Sequence, residues 1–378
     1  MEKVVIFSLK GPVKNLATGG SEVYVQNFAE ALALQGYDVT ILSGYDKGEE
    51  DFPKREILAD HVEVIRVDVP LGFLPLAIFT IHGYYLKHFH KARPYVIESQ
   101  QVIPAFTTFY KKQIGTIVYH LTGNDFIRKQ GLVKGTIGIV LEKFCFPLFY
   151  KNKPLITIST HSLENILNYG FKPEDITIIP PVVDTKSDYI LDGKPRENII
   201  TYVGRYTGRN GNKKIDHVIE AFPAVLEKVP DAKLIIGGYI KNQVELAKII
   251  EQNGVAESVE FKGQISETQK EQLLRSAKIF ASPSYQEGFG ITYIEANSYG
   301  TPVLGYAIDG LDTVPETAGS MVARDDIAKL SDVMVEWLTN EAKWIEMSHG
   351  ALANAKRFSK ETVINQINNY MEKVTHNG

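Results

Sequence analysis

The chain has 378 residues, 44% hydrophobic and 23% charged, an ordinary globular composition with room for about two to three domains. Its formal net charge of −4 gives no electrostatic ground for nucleic acid as a partner. A single cysteine, Cys145, excludes an internal disulfide framework; it lies in an apolar run and is expected as a buried thiol in a reducing compartment.

Taken in order, the N-terminus runs straight into a strand pattern, Val4-Val5-Ile6-Phe7, with no signal-peptide signature. A cytoplasmic protein is therefore expected. A loop rich in Gly, Pro and Lys ends in Gly19-Gly20-Ser21-Glu22 and opens a helical pattern closed by Gly36; Val39 to Leu42 is the next strand. This is a βαβ unit, but its glycines do not spell G-x-G-x-x-G. Gly19 and Gly20 suit a backbone anion nest, or a plain turn with Ser21 as the helix cap. Val62 to Val67 and Tyr95 to Glu98 are further strands. Between them His88 and His90 lack a convergent Cys, Asp or Glu pattern and are expected on a solvated basic helix end. Ile114 to Tyr119 is a strand that delivers His120 to its carboxyl end, before the turn Leu121-Thr122-Gly123-Asn124-Asp125. Ligands of open α/β sheets bind at such ends.

Residues 128 to 153 carry six Lys or Arg against Glu142, with Phe144, Phe146, Phe149 and Tyr150 among them. Two readings stand: a face resting on an anionic membrane, or a buried helix with a charged outer side. The longest apolar segments, Leu71 to Ile81 and Thr136 to Tyr150, fall short of the roughly 20 residues needed to cross a bilayer. Leu155 to Ser159 and Ile176 to Ile179 complete the first half. The polar stretch from Pro181 to Asn198 reads as an interdomain linker.

A second series starts at Ile199 to Val203, followed by Gly204-Arg205, a loop to Lys213-Lys214, and a helix from Ile215 to Val229. Lys233 to Ile236 and Val259 to Lys262 are strands; Gly263-Gln264-Ile265-Ser266 precedes a helix over Glu267 to Ala277. The richest stretch then runs from Ser282 to Pro302. It reads as strand, glycine loop, helix and strand, with Phe289 or Gly290 opening the helix and Gly300-Thr301-Pro302 ending it. Glu287 stands on the loop, and Glu295 about one and a half turns inside the helix. The amides of Gly288, Phe289 and Gly290 at the helix start suit an anion. Carboxylates accept hydrogen bonds from vicinal hydroxyls. Phosphate in the middle and polyol at both ends describe a nucleotide sugar.

The order Glu-Gly-Phe-Gly-Ile-Thr-Tyr-Ile-Glu-Ala-Asn-Ser-Tyr-Gly-Thr-Pro-Val resembles the double-glutamate motif of retaining glycosyltransferases of family four. The resemblance spans essentially the whole chain and is strongest over Ile199 to Pro302. It implies the GT-B fold: two Rossmann-like α/β domains with parallel sheets facing a cleft. The implied N-terminal acceptor-side domain is 1–184, joined by a C-terminal helix over about 360–378 that crosses back to it. The implied nucleotide-sugar domain is 185–359. In the same way His120 is implied to face the transferred sugar, with Asp125 orienting it or the acceptor. Gly19 and Gly20 line the acceptor side near the donor phosphates. Gly204 and Arg205 reach the diphosphate, reinforced by Lys213; the loop is longer than usual, so Lys214 or Arg209 competes for that role. Ile265 flanks the base, Glu287 holds the donor sugar and Glu295 the ribose. The implied co-substrate is a nucleotide-diphosphate sugar, UDP-sugar first and GDP-mannose second. The acceptor is a glycan, lipid-linked or small molecule, with the enzyme cytoplasmic or peripheral at the inner membrane face. No cofactor is implied, and no metal, since the sequence lacks Asp-x-Asp. Pro181-Val182-Val183-Asp184 departs from the family's usual glycine there. A GT-B epimerase and a non-catalytic nucleotide-sugar binder are the alternatives.

Overall fold

The computed structural model describes residues 1–13, 20–45, 52–69, 74–101, 103–119, 121, 123, 131–185, 196–287, 289–308 and 312–376. The expected site residues Gly19, His120, Asp125 and Gly288 lie outside the described residues. The chain forms two compact units, residues 1–182 with 363–378, and residues 183–362.

The first unit holds an eight-stranded sheet: β1 (Lys3–Lys10), β2 (Asp38–Tyr45), β3 (Arg55–Ala59), β4 (Val62–Asp68), β5 (Tyr95–Gln100), β6 (Gln113–Val118), β7 (Leu155–Thr157) and β8 (Ile176–Ile178), in the order β3-β4-β2-β1-β5-β6-β7-β8. β1 pairs in parallel with β2 on one side, Val4 opposite Val39, and with β5 on the other, Val4 opposite Tyr95. β3 runs antiparallel to β4. It is short and half-exposed at the sheet edge, so the long apolar run that reveals the inner strands is missing there. A strand buried on both faces reads as a continuous apolar run, and β1 does: Val4 and Ile6 pack with helix α1 (Gly20–Leu34), while Val5 and Phe7 pack with α2 (Leu74–His88).

The basic, aromatic stretch folds as helix α3 (Leu132–Val140), a π-helical turn over Leu141–Cys145, and the short helix α4 (Phe146–Tyr150). Cys145 is only half-buried there, which corrects the expectation of a buried thiol: the wider π turn leaves Phe146 and Tyr150 to fill the interior. Helix α5 (Thr160–Leu167) follows β7, capped by the Ser159 hydroxyl, which accepts from the Ser162 amide.

The second unit holds a six-stranded parallel sheet: β9 (Ile199–Val203), β10 (Lys233–Gly237), β11 (Val259–Gly263), β12 (Ile279–Ala281), β13 (Val303–Tyr306) and β14 (Gly319–Val322), ordered β11-β10-β9-β12-β13-β14. Helices α6 (Ile215–Lys228), α7 (Gln243–Gln252) and α10 (Ile327–Thr339) share the core on one face. Helices α8 (Glu267–Ser276), α9 (Ile291–Ser298) and α11 (Glu341–Lys356) carry Leu274, Tyr293 and Ala351 into a core with Phe280 and Val303. The last helix, α12 (Lys360–His376), places Val363, Ile367, Tyr370 and Met371 in the core of the first unit, and the Tyr370 hydroxyl donates to the Ile114 carbonyl at 2.5 Å. No helix among the described residues is long and apolar enough to cross a membrane.

Candidate active site

The second unit gathers most of the expected site residues at the carboxyl ends of its central strands. Main-chain contacts tie these ends together. The Gly204 amide after β9 donates to the Gly237 carbonyl at 3.1 Å, and the Gly238 amide after β10 donates to the Gly263 carbonyl at 2.7 Å. Gly238 has φ +116°, and a Cβ there would collide with the Gly204 carbonyl. Only glycine accommodates both demands. Arg205 projects from this floor, exposed, its guanidinium 5.7 Å from the ring centre of Tyr239. Ile265, expected beside a base, rests over Gly237, where a Cβ would come within 2.7 Å of its Cδ1.

The loop from Tyr206 to Lys214 is stapled to the loop before α9. Lys213 bridges Ser284 in antiparallel fashion. The Tyr285 amide donates to the Asn212 carbonyl at 2.7 Å, and the Lys214 amide to the Pro283 carbonyl at 2.9 Å. The staple sets the Lys213 ammonium in a salt bridge with the Glu287 carboxylate. The neighbouring cations are engaged elsewhere. Lys214 is 5% exposed, donates to the Arg209 carbonyl and lies 4.5 Å from the Tyr285 ring centre. Arg209 pairs with Glu220 at 2.5 Å.

Helix α9 starts at Gly290, whose φ of +80° makes it an αL cap, and it has no acidic residue in its first turn. Its amide end therefore stays electropositive. Phe289 is buried against Phe358, ring centres 5.5 Å apart, so its side chain anchors the loop. Glu295, the fifth residue of α9, pairs with Lys270 of α8 at 2.8 Å. Lys270 also reaches Glu267 at 2.6 Å. Burial pulls the Lys270 ammonium down, but Glu295 and Glu267 outweigh it and its pKa ends above the ordinary lysine value. Burial, and then the charge of Glu287, hold the Tyr293 hydroxyl well above its usual pKa. Tyr293 donates to the Ser282 carbonyl at 2.9 Å, securing the loop that carries Glu287.

Two features escaped sequence reasoning. Lys270 follows the Ser266–Gln269 capping box of α8 and looked like any helix-surface lysine. Asp216, next to the loop lysines, is 1% exposed, and neither of its carboxylate oxygens meets a hydrogen-bond donor among the described residues. Burial raises its pKa, against the lowering charges of His217 and Lys214. The signal was its place one residue inside α6, beside Lys213-Lys214. Asp312 is exposed.

In the first unit, Gly20 is the first residue of α1. Beside it Gln101 accepts from the Lys10 amide at 2.7 Å and donates to the Ser21 hydroxyl at 3.3 Å. Phe7, Leu9, Ile78, Ile81, Ser99 and Ile103 line an apolar recess near the carboxyl ends of β1 and β5. Two buried carboxylates shape the loops at this end. Glu98 accepts from the amides of Ala105 and Thr107 and from the hydroxyls of Thr107 and Tyr150 at 2.7–3.0 Å. Glu142 accepts from the Gly123 amide at 2.6 Å and the Tyr169 hydroxyl at 3.1 Å. Among the described residues no group of three His, Cys, Asp or Glu side chains is placed to hold a metal.

In the second unit the Lys213–Glu287 pair stands just before the start of α9, and a cation, helix-start amides and a carboxylate are groups suited to a diphosphate next to a hydroxyl-bearing sugar. A family model described as "Glycosyltransferase Family 4" matches residues 18–187, and one described as "Glycosyl transferases group 1" matches residues 186–358. A phosphatidyl-myo-inositol mannosyltransferase of Mycobacterium leprae is 29% identical over 192 residues, 50% of each chain. The chain spans about half the length of the curated relatives it matches. Two solved structures share the fold over nearly their whole lengths. Sucrose-phosphate synthase from Thermosynechococcus elongatus has a TM-score of 0.75 at 20% identity, covering 100% of both chains. Anabaena HepE in complex with UDP has a TM-score of 0.72 at 16% identity, covering 99% of this chain and 100% of the other.

Proposed function

The chain belongs to the group 1, family four glycosyltransferases of GT-B fold, and from that premise we propose that it moves a hexosyl group from a nucleotide-diphosphate sugar to a hydroxyl acceptor with retention at the anomeric carbon. The observation that carries the reading is the Lys213–Glu287 pair on the rim beside the start of α9. A donor entering there exchanges partners with it. Its diphosphate takes Lys213, Arg205 and the amides at the start of α9, while Glu287 turns to the sugar hydroxyls and Glu295 to the ribose.

In the transfer step the bond from the anomeric carbon to the diphosphate oxygen breaks, and the acceptor oxygen bonds to the same face of that carbon. The acceptor proton passes to the departing phosphate. Negative charge grows on the leaving group, so preorganised cations lower the barrier most in the transition state. The cations Arg205 and Lys213 support a metal-independent reaction. UDP-sugar is the first choice of donor, supported by the UDP complex of HepE. GDP-mannose is the second, supported by the mannosyl transfer in the name of the M. leprae relative. The acceptor is a glycan, a lipid-linked saccharide or a small polyol.

Thermal-shift screening against a panel of nucleotide sugars is the first test, because a true donor raises the melting temperature by mass action. Product analysis by NMR then reads the anomeric configuration. An inverted product defeats the retaining reading. Epimerised donor with an unmodified acceptor defeats transfer.

A further inference from the structure

Helix α3 is amphipathic the wrong way round. Gly135 and Gly138 face the interior, while Leu132, Val133, Ile137 and Val140 face solvent, the first two 72% and 74% exposed. The stripe continues through Phe144 of the π turn and Leu148 of α4, 63% and 74% exposed. At helical spacing these residues fall on one side of a nearly continuous rod. Helix α2 runs beside it, joined through a small cluster of Ile78, Ile103, Ile139 and Leu141, and offers Phe79 at 73% exposed. A monomeric surface seldom gathers this much apolar area without a use.

Among the described residues of the stripe itself, the exposed charges have one sign. Lys134, Lys143 and Lys151 are exposed along it. Across residues 131–153 the acidic residue is Glu142, and it is 1% exposed, turned inward to the Gly123 amide and the Tyr169 hydroxyl. Residues 74–97, which include all of α2, contain no acid; the cations at the far end of α2 lie apart from the stripe, at the end where His88 lines a recess with Asp38 and Glu63. The molecule as a whole is acidic, with net charge −4, so this face opposes the general charge. Apolar tips between lysines match an anionic lipid surface: the tips enter the acyl boundary and the ammonium groups reach the headgroups.

We propose that the outward face of α3, the π turn and α4, with the adjoining stripe of α2, docks this protein onto an anionic lipid bilayer. Docking deepens the transfer reading, because it places the acceptor at or in that bilayer, but binding itself requires no turnover.

The experiment is co-sedimentation of the full chain with phosphatidylcholine vesicles, with and without phosphatidylglycerol. The expected result is binding to the anionic vesicles that weakens as salt rises. The triple variant Leu132→Ser, Phe144→Ser, Leu148→Ser should lower partitioning at least ~10-fold, with an unchanged melting temperature and an unchanged thermal shift by UDP. Lys143→Gln alone should lower it about fivefold on anionic vesicles and leave neutral ones unaffected. Equal sedimentation of parent and triple variant overturns the proposal. So does a dimer in analytical ultracentrifugation that the triple variant dissolves, which makes the face a contact between copies of the chain. Vesicle binding without sugar transfer sinks the enzymatic reading and leaves docking intact; transfer to a soluble acceptor without vesicle binding does the reverse.

Discussion

Replacing Lys213 by Met removes one cation and keeps the length of the side chain. Two consequences can be worked separately. In the free protein, Glu287 loses its ion-pair partner. Breaking a fully enclosed pair costs about 3–5 kcal/mol, and an exposed pair about 0–1 kcal/mol. Lys213 is 28% and Glu287 18% exposed, so this pair falls between, at ~1–2 kcal/mol after allowing for solvent screening. For a unit of this size that lowers the melting temperature by about 2–8 °C. During turnover, the leaving diphosphate loses one preorganised positive group, worth about 10²–10³ in rate. Differential scanning fluorimetry and initial rates with the cognate nucleotide sugar measure the two effects. Adding Glu287→Gln to Lys213→Met should restore stability, since no orphaned charge remains, while turnover stays lost. Strict additivity of the two stability losses, or a Lys213→Met enzyme within about threefold of the parent rate, refutes the reasoning.

Other perturbations test the scaffold. Gly238→Ala should cost on the order of 1–3 kcal/mol, because its φ of +116° and the Gly204 carbonyl both exclude a Cβ; chemical denaturation reads the loss. Glu98→Ala leaves two amides and two hydroxyls without their acceptor. A cost of about 3–5 kcal/mol is expected, with hydrogen exchange rising first around residues 103–109. Asp216→Asn should raise the melting temperature at neutral pH. Its folded pKa lies above the unfolded value, so the buried charge destabilises the native state fully above the folded pKa and not at all below the ordinary carboxylate range. The gain from Asn should therefore shrink as pH falls through that window, and a gain constant with pH contradicts the assignment.

The central strands of both sheets were legible because residues buried on both faces form unbroken apolar runs, as in Val4 to Phe7 and Ile199 to Val203. The edge strand β3, the late strand β14 and helix α7 escaped, since exposed or short elements lack that pattern. The positions of Glu287 and Glu295 relative to α9 were legible from local turn chemistry. Which lysine faces Glu287 was not, because an antiparallel bridge between residues more than seventy positions apart decides it. Nor could periodicity reveal that the acid of the basic stretch, Glu142, points inward while Leu132, Phe144 and Leu148 point out.

The bridge between Lys213 and Ser284 has a mechanical consequence. It welds two loops that leave different strands into a single lever, with an ammonium at one arm and a carboxylate at the other. If that lever swings when a guest arrives, both arms travel through the same arc, and the span between them is kept as on a ruler.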